Sequence, residues 1–342
     1  MNICFIIPPH MLKEIAMRGS SQQKRCAWES LTMSEQMRGQ RLSLSVISAI
    51  GSTATGTRRR TVYDAGNGYT LPGRLVKSEG SAKSRDKTVN EAYAGAGVTY
   101  DLFKKIFGRN SIDDRGMRLD STVHYGKDYD NAFWNGQQMV YGDGDGELFN
   151  RFTIAIDVIG HELTHGVTQY EAGLEYQGQS GALNESMSDV FGSLVKQYRR
   201  RQEAKDADWM IGTGLFTKNV NGTGIRSMKE PGSAYDDPIL GREPQPGHMK
   251  DYVNTREDNG GVHINSGIPN RAFYETAVRL GGHAWVKAGQ IWYVALRDRL
   301  RPEADFKDAA GLTTAVAGEL FGIGSIEQKA VKEGWAEVGV GK

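Results

Sequence analysis

Cysteine is nearly missing from this chain of 342 residues: Cys4 and Cys26 are the only two, so everything beyond residue 26 must fold without a disulfide. Packing or metal ions must do the stapling instead. Long apolar runs are missing as well. Residues 3–7 and 42–50 are the best on offer, far short of the ~20 needed to cross a bilayer, so no membrane span is expected. Net charge hardly exists either, with 42 Lys and Arg against 41 Asp and Glu, which removes the electrostatic case for nucleic acid or an acidic membrane as the main partner. The amino terminus has no basic start, sustained apolar core or small-residue cleavage site, and Pro8 and Pro9 interrupt it. Secretion or release without a recognisable Sec signal peptide is therefore expected, with a cytoplasmic location as the alternative. There is no internal repeat and no low-complexity tract.

Glycine, by contrast, is abundant at 43 residues, so many turns and irregular connections should surround the scaffold. The length favours two lobes plus an accessory segment. Residues 1–55 form that segment: they hold both cysteines and five of the eleven methionines, and their one periodic stretch is a possible helix near 31–41. The small, polar run GSTATGT at 51–57, followed by Arg58, Arg59 and Arg60, reads as an exposed hinge open to proteolysis or equally as an ordinary linker. From 56 to 155 the pattern favours strands, in TVYDAGNGYTLPGRLV, over 117–125 and in NAFWNGQQMVY, where Asn135-Gly136 suits a tight hairpin. One long helix, 87–107, should stop at Gly108 and pack across that sheet. From 156 to 342 the period becomes helical, with helices expected at 152–170, 183–200, 268–280, 284–300, 309–320 and 325–338. The fold class is thus α+β: a β-rich N-terminal lobe, a mainly helical C-terminal lobe, and a cleft between them for the site.

Chemistry concentrates in IGHELTH. His161 and His165 lie four apart inside a helix, on one face, where both imidazoles can reach one metal ion, and neutral nitrogens on a rigid face suit zinc. The next helix carries NESMSD, with Glu185 and Asp189 again four apart. A carboxylate from this second helix would complete three protein ligands and leave the fourth position to water, as in catalytic rather than structural sites. Helix-surface histidines are the bland alternative, but their surroundings are apolar, where unpaired imidazoles would be costly to bury.

HELTH followed by GALNESMSD resembles the thermolysin family of neutral zinc metalloproteases. The resemblance extends through NAFWNGQQMVYGDGDG before it and DNGGVHINSG after it, from about residue 60 onward. The front segment, with Pro8-Pro9-His10-Met11-Leu12, is similar to that of the protealysin-like branch, whose precursors carry a short propeptide. The resemblance implies one catalytic Zn2+ on His161, His165 and Glu185, with Glu162 as the general base for the attacking water. His263 and Tyr176 would donate to the developing oxyanion, while Asp258, Asn184 and Asp189 would orient His263, His165 and His161. Asn131 and the backbone of Ala132 would receive an extended peptide by strand addition, and Arg226 would bind a substrate carbonyl. Phe149, Phe152, Val158, Ile211 and Ile225 would line the primary pocket, implying cleavage on the amino side of bulky hydrophobic residues, the P1′ position. Polypeptides are then the substrates, the protein's own propeptide is an intramolecular inhibitor, and a monomer is expected. A catalytically silent zinc-bearing module would have to lack Glu162 or His263, and both are present.

One departure stands out. The family's calcium pair next to the zinc helices uses an aspartate matching Asp157; Asp157 and Asp208 remain here, but Lys196, Met210 and Thr213 stand where acids are expected. An ammonium there repels a divalent cation, so the double Ca2+ site should be lost or reduced to one weak ion. The DGDGE run, 143–147, reads as a turn, although it has the flavour of a calcium loop. The basic run after Tyr198 reads as a helix carboxyl end facing solvent. Residues near 8–12 are expected to block the cleft until cleavage near 48–60. Cys4 or Cys26 as a thiolate cap on zinc is a sharper idea beside plain free thiols. His10, His124, His248 and His283 have no partner pattern and are read as structural.

Overall fold

The computed structural model describes residues 4–44 and 56–341; most of the hinge expected at 51–57, and most of the cleavage window at 48–60, lie outside the described residues. Among the described residues six strands form one sheet. They are β1 (Cys4–Phe5), β2 (Arg60–Asp64), β3 (Arg74–Ser78), β4 (Leu119–Val123), β5 (Ala132–Trp134) and β6 (Gln138–Tyr141), in the order β1-β5-β6-β4-β2-β3. Strands β2 and β4 are parallel, as are β4 and β6, while the β5–β6 hairpin is antiparallel. Its turn is the expected one: Asn135 N–H donates to the Gln138 carbonyl at 3.1 Å, and Gly136 takes φ 94°, a left-handed value that glycine adopts without steric cost.

Parallel strands need a crossover, and α3 (Lys87–Phe107) supplies it. Asp86 caps its start by accepting from Thr88 N–H at 2.8 Å and Val89 N–H at 3.3 Å, and Gly108 ends it at φ 73°. This helix has the bounds its periodicity predicts.

The second lobe is helical: α4 (Ile156–Tyr170), α5 (Gly178–Arg200), α6 (Asp258–Asn265), α7 (Gly267–Leu280), α8 (Ala288–Asp298), α9 (Phe306–Phe321) and α10 (Ile326–Glu337). Boundaries shift where local chemistry overrides the apolar period. The helix expected from residue 152 begins at Ile156, because a separate 3-10 turn at Phe152–Ile154 ends in an extended Ala155 (φ −96°, ψ 102°). The helix expected from residue 183 starts at Gly178, since the polar turn before the apolar face is already helical. Helix α6 was not expected at all; residues 258–261 all take positive φ before a right-handed turn begins. Helices α4 and α5 meet on glycine. A Cβ on Gly192 would lie 2.5 Å from the Asp157 carbonyl oxygen, and one on Gly160 would lie 3.0 Å from the Gly192 Cα. Nothing larger allows this spacing.

The front segment departs most from the sequence reading. In place of one helix near 31–41 it holds α1 (Pro9–Arg18) and α2 (Ser21–Leu44). Pro8 and Pro9 start α1 rather than interrupt structure, because proline is suited to the first helical position, where no N–H partner is needed. Met11, Leu12, Ile15 and Ala16 form its buried face. Strand β1, two residues long, joins the sheet edge at β5. Arg58 to Arg60 are not an open hinge either. Arg58 pairs with Asp101 at 2.9 Å, Arg59 donates to the Gly116 carbonyl at 2.7 Å, and Arg60 grips Glu79 through two bonds of 2.6 and 2.8 Å while stacking on Tyr93.

His124 has partners after all. Its Nδ1 lies 2.7 Å from Asp143 and its Nε2 2.7 Å from Asp86, so it ties the loop after β6 to the cap of α3. Asp143, opposed by burial and helped by Asp86, raises its pKa from 6.5 to about 9. A raised folded-state value stabilises fully below about 6.5 and loses its effect as pH climbs through about 9. His124→Gln should lower the thermal midpoint at pH 6, by a cost of roughly 1–2 kcal/mol for a partly solvated pair, with the gap to wild type closing by pH 10 in paired melting curves.

Candidate active site

Helix α4 presents His161, Glu162 and His165, and α5 presents Asn184, Glu185, Ser188 and Asp189, all buried. The two imidazole Nε2 atoms lie 3.0 Å apart. Glu185 Oε2 is 3.6 Å from His161 Nε2, and its Oε1 is 3.5 Å from His165 Nε2. Each ring is anchored at its far side: His161 Nδ1 lies 2.8 Å from Asp189 Oδ1, and His165 Nδ1 lies 2.9 Å from Asn184 Oδ1 and 3.0 Å from Ser188 Oγ. A proton on each Nδ1 leaves both Nε2 atoms bare, two lone pairs aimed at each other. Burial keeps the rings neutral, lowering His161 to about 4 and His165 to about 3. Facing lone pairs repel unless a cation lies among them, so the donor set fits a zinc ion. Among the described residues, His161, His165 and Glu185 are the one group of three such side chains with ligand atoms close enough to hold a metal.

Glu162 accepts from the Trp134 backbone N–H at 3.1 Å through Oε2, while Oε1 is buried without a partner. Burial, together with the Glu185 charge, pushes its pKa well above the ordinary range. On the opposite wall Tyr176 donates to Glu185 and lies 3.2 Å from His263 Nε2. Asp258 holds His263 from behind, Oδ1 to Nδ1 at 2.6 Å, and also accepts the His263 backbone N–H at 2.9 Å. The left-handed run at 258–261 is what folds Asp258 back over the ring. Against burial, which would lower it, Asp258 and Glu185 raise the pKa of His263.

Arg226, in the two-residue strand Arg226–Ser227, was expected to bind a substrate carbonyl; the structure places it against Asp189. It forks onto Asp189 with bonds of 2.9 and 2.8 Å, and its Nη1 reaches the Ile6 carbonyl at 3.3 Å. Asn270 of α7 adds a further bond to Asp189 at 2.8 Å. Asn270 and Ser188 escaped the sequence reading. Ser188 is visible in hindsight beside Asp189 on the same helix, whereas nothing in the local sequence marks Asn270.

Ala132, the first residue of β5, and Asn131 just before it face the front segment at β1. Phe149, Phe152, Val158, Ile211 and Ile225 are all buried in one core that also contains Ile6 and Ile7. His10, read as merely structural, sits in the same cleft region, its Nε2 3.3 Å from Tyr235 Oη, and burial lowers its pKa to about 3. Cys26 is buried in α2, with Asp130, Glu29, Asp128 and Asp145 as its electrostatic neighbours, and is not part of the metal group; the Cys4 thiol lies outside what is described. His248 caps a 3-10 turn, and His283 stacks on Trp285. Asp145 Oδ1 accepts from the N–H groups of Glu147, Leu148 and Phe149, so the DGDGE run is a side-chain-capped turn.

Behind the site, Lys196 Nζ lies 2.9 Å from Asp157 Oδ2 and 2.7 Å from Asp208 Oδ1, and it donates to the Met210 carbonyl. Asp157 Oδ2 also accepts from Gly212 N–H at 3.1 Å. Among the described residues no helix is long and apolar enough to cross a membrane.

Two family models match: residues 34–169 match the thermolysin metallopeptidase catalytic domain, and residues 172–340 match the thermolysin metallopeptidase alpha-helical domain. An extracellular metalloprotease of Pectobacterium carotovorum subsp. carotovorum is 53% identical over 342 residues, 99% of this chain and 96% of that one. Protease PrtS of Photorhabdus sp. (strain Az29) is 48% identical, over 98% of this chain and 91% of its own. Thermolysin of Alicyclobacillus acidocaldarius subsp. acidocaldarius is 44% identical over 288 residues, which is 81% of this chain and 50% of that protein. Among solved structures, the precursor of protealysin, a metalloproteinase from Serratia proteamaculans, superposes with a TM-score of 0.91 at 54% identity, covering 98% of this chain and 99% of that one.

Asp189 is the acceptor on which a metal-facing imidazole and a buried guanidinium both depend. Asp189→Ala should strand Arg226 without a counter-charge, costing roughly 3–5 kcal/mol in urea unfolding. It should also weaken zinc retention about 10–100-fold in competition with a chelator.

Proposed function

The chain belongs to the thermolysin metallopeptidase family and is a zinc-dependent metalloendopeptidase; on that premise we propose the residue roles, the specificity and the latency that follow. His161, His165 and Glu185 would hold the zinc, and the ion would supply Lewis acidity, lowering the pKa of water so that hydroxide is available as the nucleophile near neutral pH. Glu162 Oε1, buried and unpartnered, receives the proton of that water and hands it to the leaving amine. His263, kept protonated by Asp258, and Tyr176 donate to the carbonyl oxygen as it gains charge. Asn131, Ala132 and Arg226 hold the substrate backbone, and the apolar set Phe149, Phe152, Val158, Ile211 and Ile225 selects a bulky hydrophobic residue at P1′. Buried apolar walls with no charged group favour such a side chain over a polar one.

The observation that carries latency is strand β1 lying on β5, with Ile6 and Ile7 just after it held by Arg226 and Asn131, the groups assigned to substrate. Residues 1–55 form a propeptide that fills the cleft until cleavage, residues 56–155 form the N-terminal catalytic lobe, and residues 156–342 form the C-terminal one. Cleavage must fall before Arg58, since residues 58–60 are anchored in the lobe. The extracellular name of the Pectobacterium relative supports release from the cell. The molecule works as a monomer.

An internal ammonium takes the place of calcium. Lys196 neutralises Asp157 and Asp208 where the family places its ion pair. Melting curves of the wild type should therefore be unmoved by a calcium-selective chelator, whereas Lys196→Met should cost roughly 3–5 kcal/mol by leaving Asp157 buried and unpaired. The main test compares the full chain with Glu162→Ala, following chain length and casein hydrolysis. Loss of about 10²–10⁴-fold in rate, and of the size change on maturation, is expected. Digestion that continues in the variant, or in wild type stripped of zinc, would sink the reading.

A further inference from the structure

The front segment meets the cleft in a defined register. Strand β1 runs antiparallel to β5, with Cys4 opposite Trp134 and Phe5 opposite Phe133. Ile6 N–H donates to the Ala132 carbonyl at 3.1 Å, and the Ile6 carbonyl accepts from Arg226 Nη1 at 3.3 Å. Ile7 N–H donates to Asn131 Oδ1 at 3.0 Å, and the Ile7 carbonyl accepts from Asn131 Nδ2 at 3.5 Å. Both backbone groups of two consecutive residues are thus engaged by the elements that would hold a substrate. In an antiparallel ladder successive residues turn their N–H and C=O alternately toward and away from the partner. Ile6 N–H points to β5, so the amide and carbonyl of Phe5 point away from it. Both β1 and β5 pack on α4, the helix of His161, Glu162 and His165.

The side chains divide in the same place. Phe5 enters a small cluster with Tyr125, Tyr129, Phe133 and Val140, its ring 5.1 Å from that of Phe133. Ile6 is fully buried in the main core, which holds the apolar residues assigned to the primary pocket.

We propose that Ile6 fills the specificity pocket and that the Phe5–Ile6 peptide bond occupies the scissile position, so the amino-terminal segment is bound as a substrate in the productive direction. The inference rests on the endopeptidase reading above. It names the first bond that the enzyme hydrolyses in its own chain. One water is consumed: its oxygen bonds to the Phe5 carbonyl carbon, the C–N bond breaks, and a proton goes to the Ile6 nitrogen. The segment ending at Phe5 leaves with a new carboxyl end, and Ile6 becomes a new amino terminus.

The test uses the full-length chain loaded with zinc, with the peptide MNICFIIPPHML added in trans after the chain has processed itself. Mass spectrometry should find MNICF and IIPPHML from the peptide, and a new amino terminus at Ile6 from the chain itself. Casein hydrolysis should be inhibited competitively by the peptide. Ile6→Asp should slow the cut at least ten-fold in either setting and weaken inhibition by the peptide at least ten-fold. A peptide that inhibits but stays whole, is cut at another bond, or is indifferent to Ile6→Asp overturns the proposal while chelator-sensitive casein digestion still upholds the endopeptidase. Absence of any casein digestion by the zinc-loaded, processed protein removes both.

Discussion

Two imidazole nitrogens, stripped of protons and held 3.0 Å apart, form an arrangement that has no internal source of attraction. Their mutual repulsion is sustained because each ring is pinned from behind, by Asp189 and by Asn184, and because α4 cannot unwind without giving up a buried face. A divalent ion turns this repulsion into three favourable contacts. The spacing of the third ligand is set elsewhere, by Gly160 and Gly192, which let two helix backbones approach closely enough for Glu185 to reach the histidines. Ligand geometry is therefore a property of helix packing.

Asp189 links that centre to the peptide. It accepts from a metal-facing histidine, from both arms of an arginine and from Asn270, and the surrounding positive charge holds its carboxyl well below the usual range despite burial. Arg226 in turn reaches the bound backbone. A single carboxylate thus fixes both the orientation of a metal-facing imidazole and the position of the guanidinium that reaches the Ile6 carbonyl. In a dry interior such charge-assisted bonds are strong and costly to break, so the two halves of the site move as one.

Much of this was legible because it has a period. His161, His165, Glu185 and Asp189 repeat at helical spacing, and α3 carries a cap, an apolar face and a terminal glycine. Lys196 was expected to neutralise the remaining carboxylates, and its ammonium does bridge Asp157 and Asp208. What stayed hidden lacks a local signal. Strand β1 has two residues and owes its existence to an edge 128 positions away, Phe133 opposite Phe5. Asn270 matters through a partner on another helix. The run at 258–261 depends on four successive positive φ values, two of them at Asp258 and Asn259, where periodicity gives no warning. Helix α1 was misread for a different reason: its paired prolines are starters at a helix amino end and breakers anywhere else.

Strand β1 also closes one margin of the central sheet. Behind β1, the Ala132 and Trp134 N–H groups are already held, by Asn131 Oδ1 and Glu162 Oε2, so little of that border is open to edge-to-edge pairing with a neighbouring sheet. One of those two acceptors, Glu162, belongs to the helix of His161 and His165, so the border that β1 covers is tied directly to the metal-binding side chains.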